Sequence, residues 1–268
     1  MKKKHCFLSL VTAFAIFAIF TNVQAFHPNL IAAWTFDEGQ GETTADATEN
    51  GHEGTLIGSP TWVDGVNGKA LEIMGNTQYV MVEDAEDLHF GEEDFTFMAW
   101  VNIDNYGGGT PSGIISKRTM VTGDGQPTLL WVVDNEVSAV EVQIRDDVGA
   151  VNILTGEEAI KEGEWHHVAV VKTDKDVTFY VDGIEDMSLD HGLGGSFTAE
   201  GHPLYIGVHH YGTTWNCSLN GKLDEVAIFN KALNAVEIAS MMQNLTSVEA
   251  SGKMGTCWGY IKSLYYSR

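Results

Sequence analysis

Short stretches of alternating apolar and polar residues recur along most of this chain, separated by turns rich in glycine and aspartate. Residues 95–103 (FTFMAWVNI) are the cleanest example, because every second side chain is apolar and can share one face of a strand. Residues 177–181 repeat the alternation, and Asp182-Gly183 then supplies the two residues of positive φ that a tight hairpin needs. The pattern predicts antiparallel strands.

The predicted strands are short, and turns recur roughly every 8 to 12 residues, which is typical of a sandwich or barrel. Before residue 160 they cover 30–36, 55–57, 61–63, 70–73, 79–82, 95–103, 113–117, 129–133, 139–145 and 151–154. A helical period first appears at Asn234, which can form a capping pair with Glu237. We expect a helix of about ten residues to close the domain, with an apolar stripe of Val236, Ile238, Met241 and Met242.

The first 25 residues have the features of an export signal. Lys2–Lys4 form a basic start, residues 7–20 are mostly apolar, and Val23-Gln24-Ala25 is a small-residue cleavage site. The apolar stretch is short for a membrane span, and no later segment approaches one. We therefore expect an exported protein, extracellular or on the cell surface, with a domain over residues 26–245.

The charge of the chain limits its partners. It holds 37 acidic and 15 basic residues, and removal of the signal with its three lysines leaves a net charge of about −25. Such a surface argues against nucleic acid or an anionic membrane as a partner. Residues 246–268 differ, because this tail carries three basic residues and one acid. We expect the tail to be either a short appendage of the domain or an attachment or sorting element.

Two cysteines, Cys217 and Cys257, lie outside the signal. In an oxidising compartment they could pair, and a closed loop of about 40 residues would stabilise the fold by roughly 3 to 4 kcal/mol. The alternative is two independent thiols, one of them in the tail.

The order of the motifs resembles that of the laminin-G-like jelly-roll domains of the concanavalin A-like lectin and glucanase superfamily. The first half contains AAWTFDEGQGE, ADATENGHEGTL, GKALEI, QYVMVED and DFTFMAWVNI, and the second contains EWHHVAVVK, DVTFYVDG, PLYIGV, GKLDEVAIFN and ALNAVEI. The resemblance implies an all-β fold, a two-sheet antiparallel jelly-roll β-sandwich with one short C-terminal helix. It also implies that Trp165 is structural, fills the core or the sandwich edge, and is not a platform for a sugar.

The same resemblance implies a structural calcium ion. Members of the superfamily often bind Ca²⁺ between the N-terminal segment and an acidic residue of the last long strand. Carried over to this sequence, the ligands are Asp46, Asn50, Gly51 and Asp224, with Glu38 as a further one. Carboxylate and carbonyl oxygens are the ligands that Ca²⁺ prefers. The alternative is that Asp46 and Asn50 make Asx-turns and Asp224 accepts backbone hydrogen bonds.

The acidic residues do not form the pair that a glycoside hydrolase needs, two carboxylates on one strand face. The Glu-x-Asp-x-x-Glu cluster of the glucanase branch is absent, Glu141 is followed on its face by Gln143 and Arg145, and Asp224 and Glu225 are adjacent and diverge. We therefore predict that the protein is not an enzyme.

A non-catalytic glycan-binding module is the leading hypothesis, because aromatic side chains on loops of a rigid scaffold commonly contact sugars. The candidate ligand-binding residues are His209, His210, Tyr211, Trp215, Tyr106 and Trp131. The alternative for each is a side chain that covers the edge of the sandwich. An extracellular protein–protein adhesion module is the second hypothesis, and a glycoside hydrolase the third.

Overall fold

A computed structural model describes residues 27–75, 77–106, 111–118, 127–211, 215–243 and 245, with only the backbone described at residues 210, 211 and 215–217. The predicted signal and the tail lie outside the described residues. In the described part, nearly all regular structure is antiparallel β-strand, in two eight-stranded sheets and one separate hairpin.

Sheet I is built around three long central strands and has one strand off its main path. Its order is β14 (Ile184–Asp190), β13 (Asp176–Val181), β12 (Trp165–Lys172), β7 (Phe95–Ile103), β18 (Gly221–Phe229), β5 (Lys69–Ile73) and β4 (Thr61–Asp64), and β1 (Leu30–Trp34) also pairs with β18.

Sheet II packs against sheet I. Its order is β11 (Val151–Ala159), β10 (Ala139–Arg145), β9 (Thr128–Val133), β8 (Ser112–Arg118), β15 (Leu204–Ile206), β6 (Tyr79–Val82), β3 (Gly54–Ile57) and β2 (Thr43–Thr44). A separate hairpin joins β16 (Val208–Tyr211) to β17 (Trp215–Ser218), Glu86–Leu88 form a 3-10 turn, and α1 (Ala235–Gln243) is the closing helix. The architecture confirms the predicted jelly-roll sandwich.

Two hydrophobic clusters lie on the two faces of sheet I. The larger one fills the space between the sheets, and its largest fully buried members include Trp34, Trp131, Phe97 and Phe179. The smaller one lies on the outer face of sheet I beneath α1, and includes Met98, Ala169, Tyr180, Phe229, Ile238 and Met241. Each large apolar side chain contributes about 1.5 to 3 kcal/mol when buried, so the inter-sheet cluster is the main stabilising feature.

Local signals predicted the helix start and one turn correctly. The Asn234 side-chain oxygen accepts hydrogen bonds from the backbone N–H groups of Val236 (2.9 Å) and Glu237 (3.1 Å), and the Glu237 carboxylate accepts one from the Asn234 N–H (2.9 Å). Asp182 and Gly183 have φ values of 50° and 76°, as the hairpin requires. Val236 does not belong to the buried stripe, because its side chain is 48% exposed.

Two strands differ from the prediction. Residues 151–159 form one strand where only 151–154 were predicted, and Ile184–Asp190 form a strand that the pattern did not indicate. Ile184–Asp190 lie at the edge of sheet I, where both faces are largely accessible and no regular alternation is needed.

Strand β18 changes its neighbour halfway along its length. On one side it pairs with β5 through Gly221–Leu223 and with β1 through residues 226–229, while β7 runs along its other side. The register shifts between Asp224 and Ala227, and Glu225 has a φ of 50°, so Asp224 and Glu225 form a bulge where the partner changes. We call Asp224, Glu225 and the facing loop 65–68 the seam.

Candidate functional site

The segment predicted as an aromatic loop is the β16–β17 hairpin, and it lies across the outer face of sheet II. The Ser116 hydroxyl donates to the Val208 carbonyl (2.9 Å), and the N–H of Leu219 donates to the Gly207 carbonyl (2.9 Å). A Cβ atom on Gly113 would lie 2.3 Å from the backbone nitrogen of His209. Glycine in β8 therefore allows the hairpin backbone to approach the sheet closely.

Four of the six candidate ligand residues belong to this hairpin. His209 is 8% exposed, and its Nε2 lies 3.4 Å from a guanidinium nitrogen of Arg118. For His210, Tyr211 and Trp215 only the backbone is described, so the role predicted for their side chains stays a prediction. Cys217 pairs with His209 across the hairpin, and Cys257 lies outside the described residues, so their disulfide also stays a prediction.

The other two candidates contact the protein itself. Trp131 has no exposed surface and points into the core, because it alternates along β9 with residues that face outward. In this position Trp131 offers no face to a ligand. The Tyr106 hydroxyl donates to the Ile160 carbonyl (2.6 Å), its N–H donates to Glu162 (2.7 Å), and burial raises its pKa to about 12.

A groove that the sequence did not indicate lies on the same face as the hairpin. It has a volume of about 510 Å³ and is lined by Asp134, Glu136, Val137, Ala139, Glu141, Thr155, Gly156 and Glu157. One cross-strand row connects the two, since Gly113 beneath the hairpin pairs with Val132, Val132 with Glu141, and Glu141 with Thr155. At a strand spacing of about 4.8 Å, this row is about 14 Å long.

The floor of the groove is a carboxylate held in one orientation. Glu141 is 6% exposed, one of its oxygens accepts from the Gln143 amide (2.7 Å), and the other accepts from the Thr155 hydroxyl (3.1 Å). Four lining residues are acidic and none is Lys or Arg. The groove therefore suits a ligand that is neutral or positively charged and that can donate hydrogen bonds.

Asp46, the first predicted calcium ligand, supports a turn. Its carboxylate accepts hydrogen bonds of 3.0 to 3.2 Å from the backbone N–H groups of Ala33, Thr48 and His52. This is the Asx-type arrangement that the sequence left open as the alternative.

The other predicted ligands of this segment also make local contacts. The Asn50 amide donates to the Ile31 carbonyl (3.0 Å), the Glu38 carboxylate accepts from the Ala45 N–H (2.7 Å), and Gly51 has a φ of 98°. In the part of the chain that the structure describes, no three His, Cys, Asp or Glu side chains form a group that could hold a metal. Glu38, Asp46 and Asp224 are thus not brought together there.

Asp224, the remaining predicted ligand, lies fully buried at the seam. One carboxylate oxygen accepts from the backbone N–H groups of Val66 (2.8 Å) and Asn67 (3.0 Å), and the other, Oδ1, is buried without a partner among the described residues. Glu225 beside it is 8% exposed and accepts from the Asn67 amide (3.1 Å). A Cβ atom on Gly65 would lie 2.4 Å from Asp224, so the loop can close over the carboxylate only with glycine there.

The seam is electrostatically unfavourable for two ionised acids. Burial and, to a lesser extent, the charge of Asp37 together raise the pKa of Asp224 to about 6, although hydrogen bonds from backbone N–H groups act in the opposite direction. Burial, Asp224 and Asp37 together raise the pKa of Glu225 to about 7. A buried carboxylate oxygen without a partner is a group that a hard cation could satisfy, but the described carboxylates of the seam do not lie close enough together to form a three-ligand site. The sequence analysis did not predict Asp37 or Glu225 as ligands, although each is adjacent to a predicted one, Glu38 and Asp224 respectively.

Comparison with known proteins agrees with the fold. The laminin-G model described as concanavalin A-like lectin/glucanases superfamily matches residues 74–239. The binding domain of Paraclostridial Mosquitocidal Protein 1 has a TM-score of 0.64 and 17% identity, over 81% of this chain and 52% of that one. No curated protein sequence matches the chain.

Two further solved structures contain a sugar. Domain 4 of AbnA, an extracellular GH43 arabinanase from Geobacillus stearothermophilus in complex with arabinotriose, has a TM-score of 0.55 and 20% identity, over 80% of this chain and 98% of that one. The ligand binding domain of Botulinum neurotoxin serotype D in complex with N-acetylneuraminic acid has a TM-score of 0.60 and 13% identity, over 80% and 50%. The chain spans about half the length of these toxin domains. Such identities establish the fold and nothing further.

Proposed function

Because the chain belongs to the concanavalin A-like lectin/glucanases superfamily, we propose that it is an exported, non-catalytic module that binds neutral glycans. The groove of sheet II carries the proposal. Its floor presents Glu141 in a fixed orientation beside Thr155 and Gln143, which are groups that hydrogen-bond sugar hydroxyls. In the row across the sheet, Glu141 faces Thr155 and not a second acid, so this row lacks the carboxylate pair of a hydrolase.

Charge favours a neutral sugar over an acidic one. The structures similar to this chain contain arabinotriose, which is neutral, and N-acetylneuraminic acid, which is anionic. The four acids that line the groove would repel the anionic N-acetylneuraminic acid and would not repel the neutral arabinotriose. The neutral class is the one we propose.

An array of neutral and acidic glycans tests this function. We expect binding to neutral glycans that the free sugar competes away, and a loss of about tenfold in affinity for Glu141→Gln, since a hydrogen bond to a charged group contributes about 1.5 to 3 kcal/mol. Glu200→Gln, at an exposed turn position, is the matched control. Binding confined to acidic glycans, or equal binding by Glu141→Gln, would contradict the proposal.

Protein–protein adhesion is the second candidate, and one observation favours it. Three apolar side chains near the edge of sheet II are more than half or about half exposed: Val137 at the groove (59%), and Val151 (50%) and Ile153 (54%) on β11. Several exposed apolar side chains close together are typical of an interaction surface. Binding of a protein partner that survives its deglycosylation and weakens in Ile153→Ser would favour this function over the first.

We also propose that the seam binds a calcium ion. Asp224 would hold it through its unpartnered oxygen, and Glu225 and Asp37, whose charges act on the same site, would have to move toward the ion to complete its ligands. When bound, the ion would neutralise the seam and join the bulge to the segment after β1. The melting temperature of protein prepared with calcium should fall when EDTA removes it, and should fall less in Asp224→Asn. An unchanged melting temperature would contradict the site.

No helix among the described residues is long and apolar enough to cross a membrane. The AbnA domain comes from an extracellular enzyme. We propose an extracellular or cell-surface location for this chain as well. Fractionation of the expressing cells tests this location, and we expect the protein in the medium or on the cell surface and not in the cytoplasm.

A further inference from the structure

The outer face of sheet I is only partly covered by α1. The helix packs over the half of the face that contains Met98 and Ala169. Beyond the half that the helix covers, the same face continues along the strands. Its residues there are Trp100 and Asn102 of β7, Trp165 and His167 of β12, and Lys222 of β18. We call these five residues the tryptophan face.

Trp100 and Trp165 are neighbours on this face. Trp165 pairs with Asn102 and His167 pairs with Trp100, so the two indoles are diagonal cross-strand neighbours. Both are partly exposed, and neither belongs to the hydrophobic clusters of the described residues. The expectation that Trp165 fills the core or the sandwich edge therefore does not describe its position, since its partly exposed side chain lies on the outer face of sheet I.

Polar groups without partners lie beside the indoles. Asn102 is 7% exposed and its Oδ1 has no hydrogen-bond partner in the described part of the chain, although its amide donates to the Gly163 carbonyl (3.3 Å). His167 is 2% exposed, its ring packs edge-on against Trp100 with centroids 5.4 Å apart, and no described residue hydrogen-bonds its Nδ1. Native proteins rarely leave such groups unsatisfied.

Charged groups border the face. The Lys222 ammonium lies 2.5 Å from Asp104 and 3.9 Å from Glu72, and its side chain is 24% exposed. Donors and acceptors are thus both present within one cross-strand row that runs from Glu72 through Lys222 and Asn102 to Trp165.

We propose that the tryptophan face is a second sugar-binding surface, separate from the groove on sheet II. The indoles supply the apolar platform for the C–H face of a neutral sugar ring, and Asn102 and Lys222 supply hydrogen bonds to its hydroxyls. A hydroxyl both donates and accepts, which matches this mixed border, whereas the core of a protein interface is depleted of charge. The ligand class rests on the proposed function. The surface adds the aromatic platform that the described side chains of the groove lack.

Affinity electrophoresis through gels containing soluble neutral polysaccharides, arabinan among them, tests the surface. The variants are Trp100→Ala with Trp165→Ala, the milder Asn102→Ala, and Glu141→Gln in the groove. Trp62→Ala is the matched control, because Trp62 is a partly exposed indole on edge strand β4. Thermal melts establish that each variant is folded.

We expect the double tryptophan variant to lose about tenfold or more in affinity, as removal of stacked aromatic surface does, and Asn102→Ala to lose several-fold. The Trp62→Ala control should bind as the parent does. Suppose that the polysaccharide slows the unmodified protein, and that it slows the double tryptophan variant and the Asn102 variant by the same amount. The proposal of a second surface is then wrong, and the proposed function stands. If the parent is retarded by no polysaccharide, the proposed glycan function fails and the second surface with it. If the double variant does not fold, the result for Asn102→Ala decides.

Discussion

Replacing Glu225 with Gln should stabilise the metal-free protein at pH 8, although most substitutions of buried polar residues destabilise. Burial and the neighbouring carboxylates raise the pKa of Glu225 to about 7, against an ordinary value of 4.5. A raised pKa means that the folded state penalises the ionised acid. The penalty is absent below about pH 4.5, grows as the pH rises, and is complete above about pH 7.

The magnitude follows from the size of the shift. At about 1.4 kcal/mol per pKa unit, ionised Glu225 costs the fold on the order of 3 kcal/mol at pH 8. Gln keeps an oxygen that can accept from the Asn67 amide and removes the charge beside Asp224. The variant should therefore gain about 1 to 3 kcal/mol in free energy of unfolding at pH 8, and almost nothing at pH 4.5.

Denaturant unfolding in EDTA at the two pH values measures this difference, with the exposed Glu200→Gln as control. A Glu225→Gln variant that is less stable than the parent at pH 8 in EDTA, or that changes equally at both pH values, would refute the electrostatic reasoning. With saturating calcium the sign should reverse, because the variant then loses a proposed ligand of the ion.

Three further predictions concern contacts away from the seam. Lys117→Met should lower the free energy of unfolding by about 3 to 5 kcal/mol, measured by denaturant titration, because the buried Lys117 ammonium lies 2.5 Å from Asp84. Burial alone would raise the pKa of Asp84, but its hydrogen bonds lower it to about 2, so this contribution should be present above about pH 4 and disappear as the pH falls through 2. Tyr106→Phe should cost about 1 kcal/mol and leave glycan affinity unchanged, and a loss of affinity without a loss of stability would instead make Tyr106 a ligand residue. Gly113→Ala should cost about 1 to 3 kcal/mol and speed amide hydrogen exchange in the hairpin, because the new methyl group would meet the His209 backbone nitrogen; unchanged exchange would show that the hairpin does not rest on β8.

The sequence was sufficient where structure depends on neighbours in the chain. Phe95–Ile103 alternates because one face meets the core, while the other lies partly under α1 and partly on the tryptophan face, so the strand was predicted to the residue. The Asn234 cap and the Asp182-Gly183 turn are likewise encoded within four residues. These features needed no knowledge of the distant partners.

The candidate site was harder to predict because its features depend on partners far away in the sequence. Both faces of β9 are buried, since five of its six residues are inaccessible, so its continuous apolar run could not tell which way Trp131 points. The bulge at Glu225 breaks the two-residue period at the place where β18 changes partner. The family resemblance indicated Asp224, whereas neither the resemblance nor the two-residue period indicated Glu225 and Asp37.

The change of partner along β18 also has a consequence for how the chain acquires its structure. Strand β1 is buried at all five positions, and its described partner β18 follows it by about 200 residues. During synthesis the segment LIAAW is made before the rest of the domain and cannot pair with β18 until nearly the whole domain has emerged. A chain that stops before β18 would leave this apolar strand with no edge to join, and we expect such fragments to aggregate rather than to form a smaller version of the sandwich.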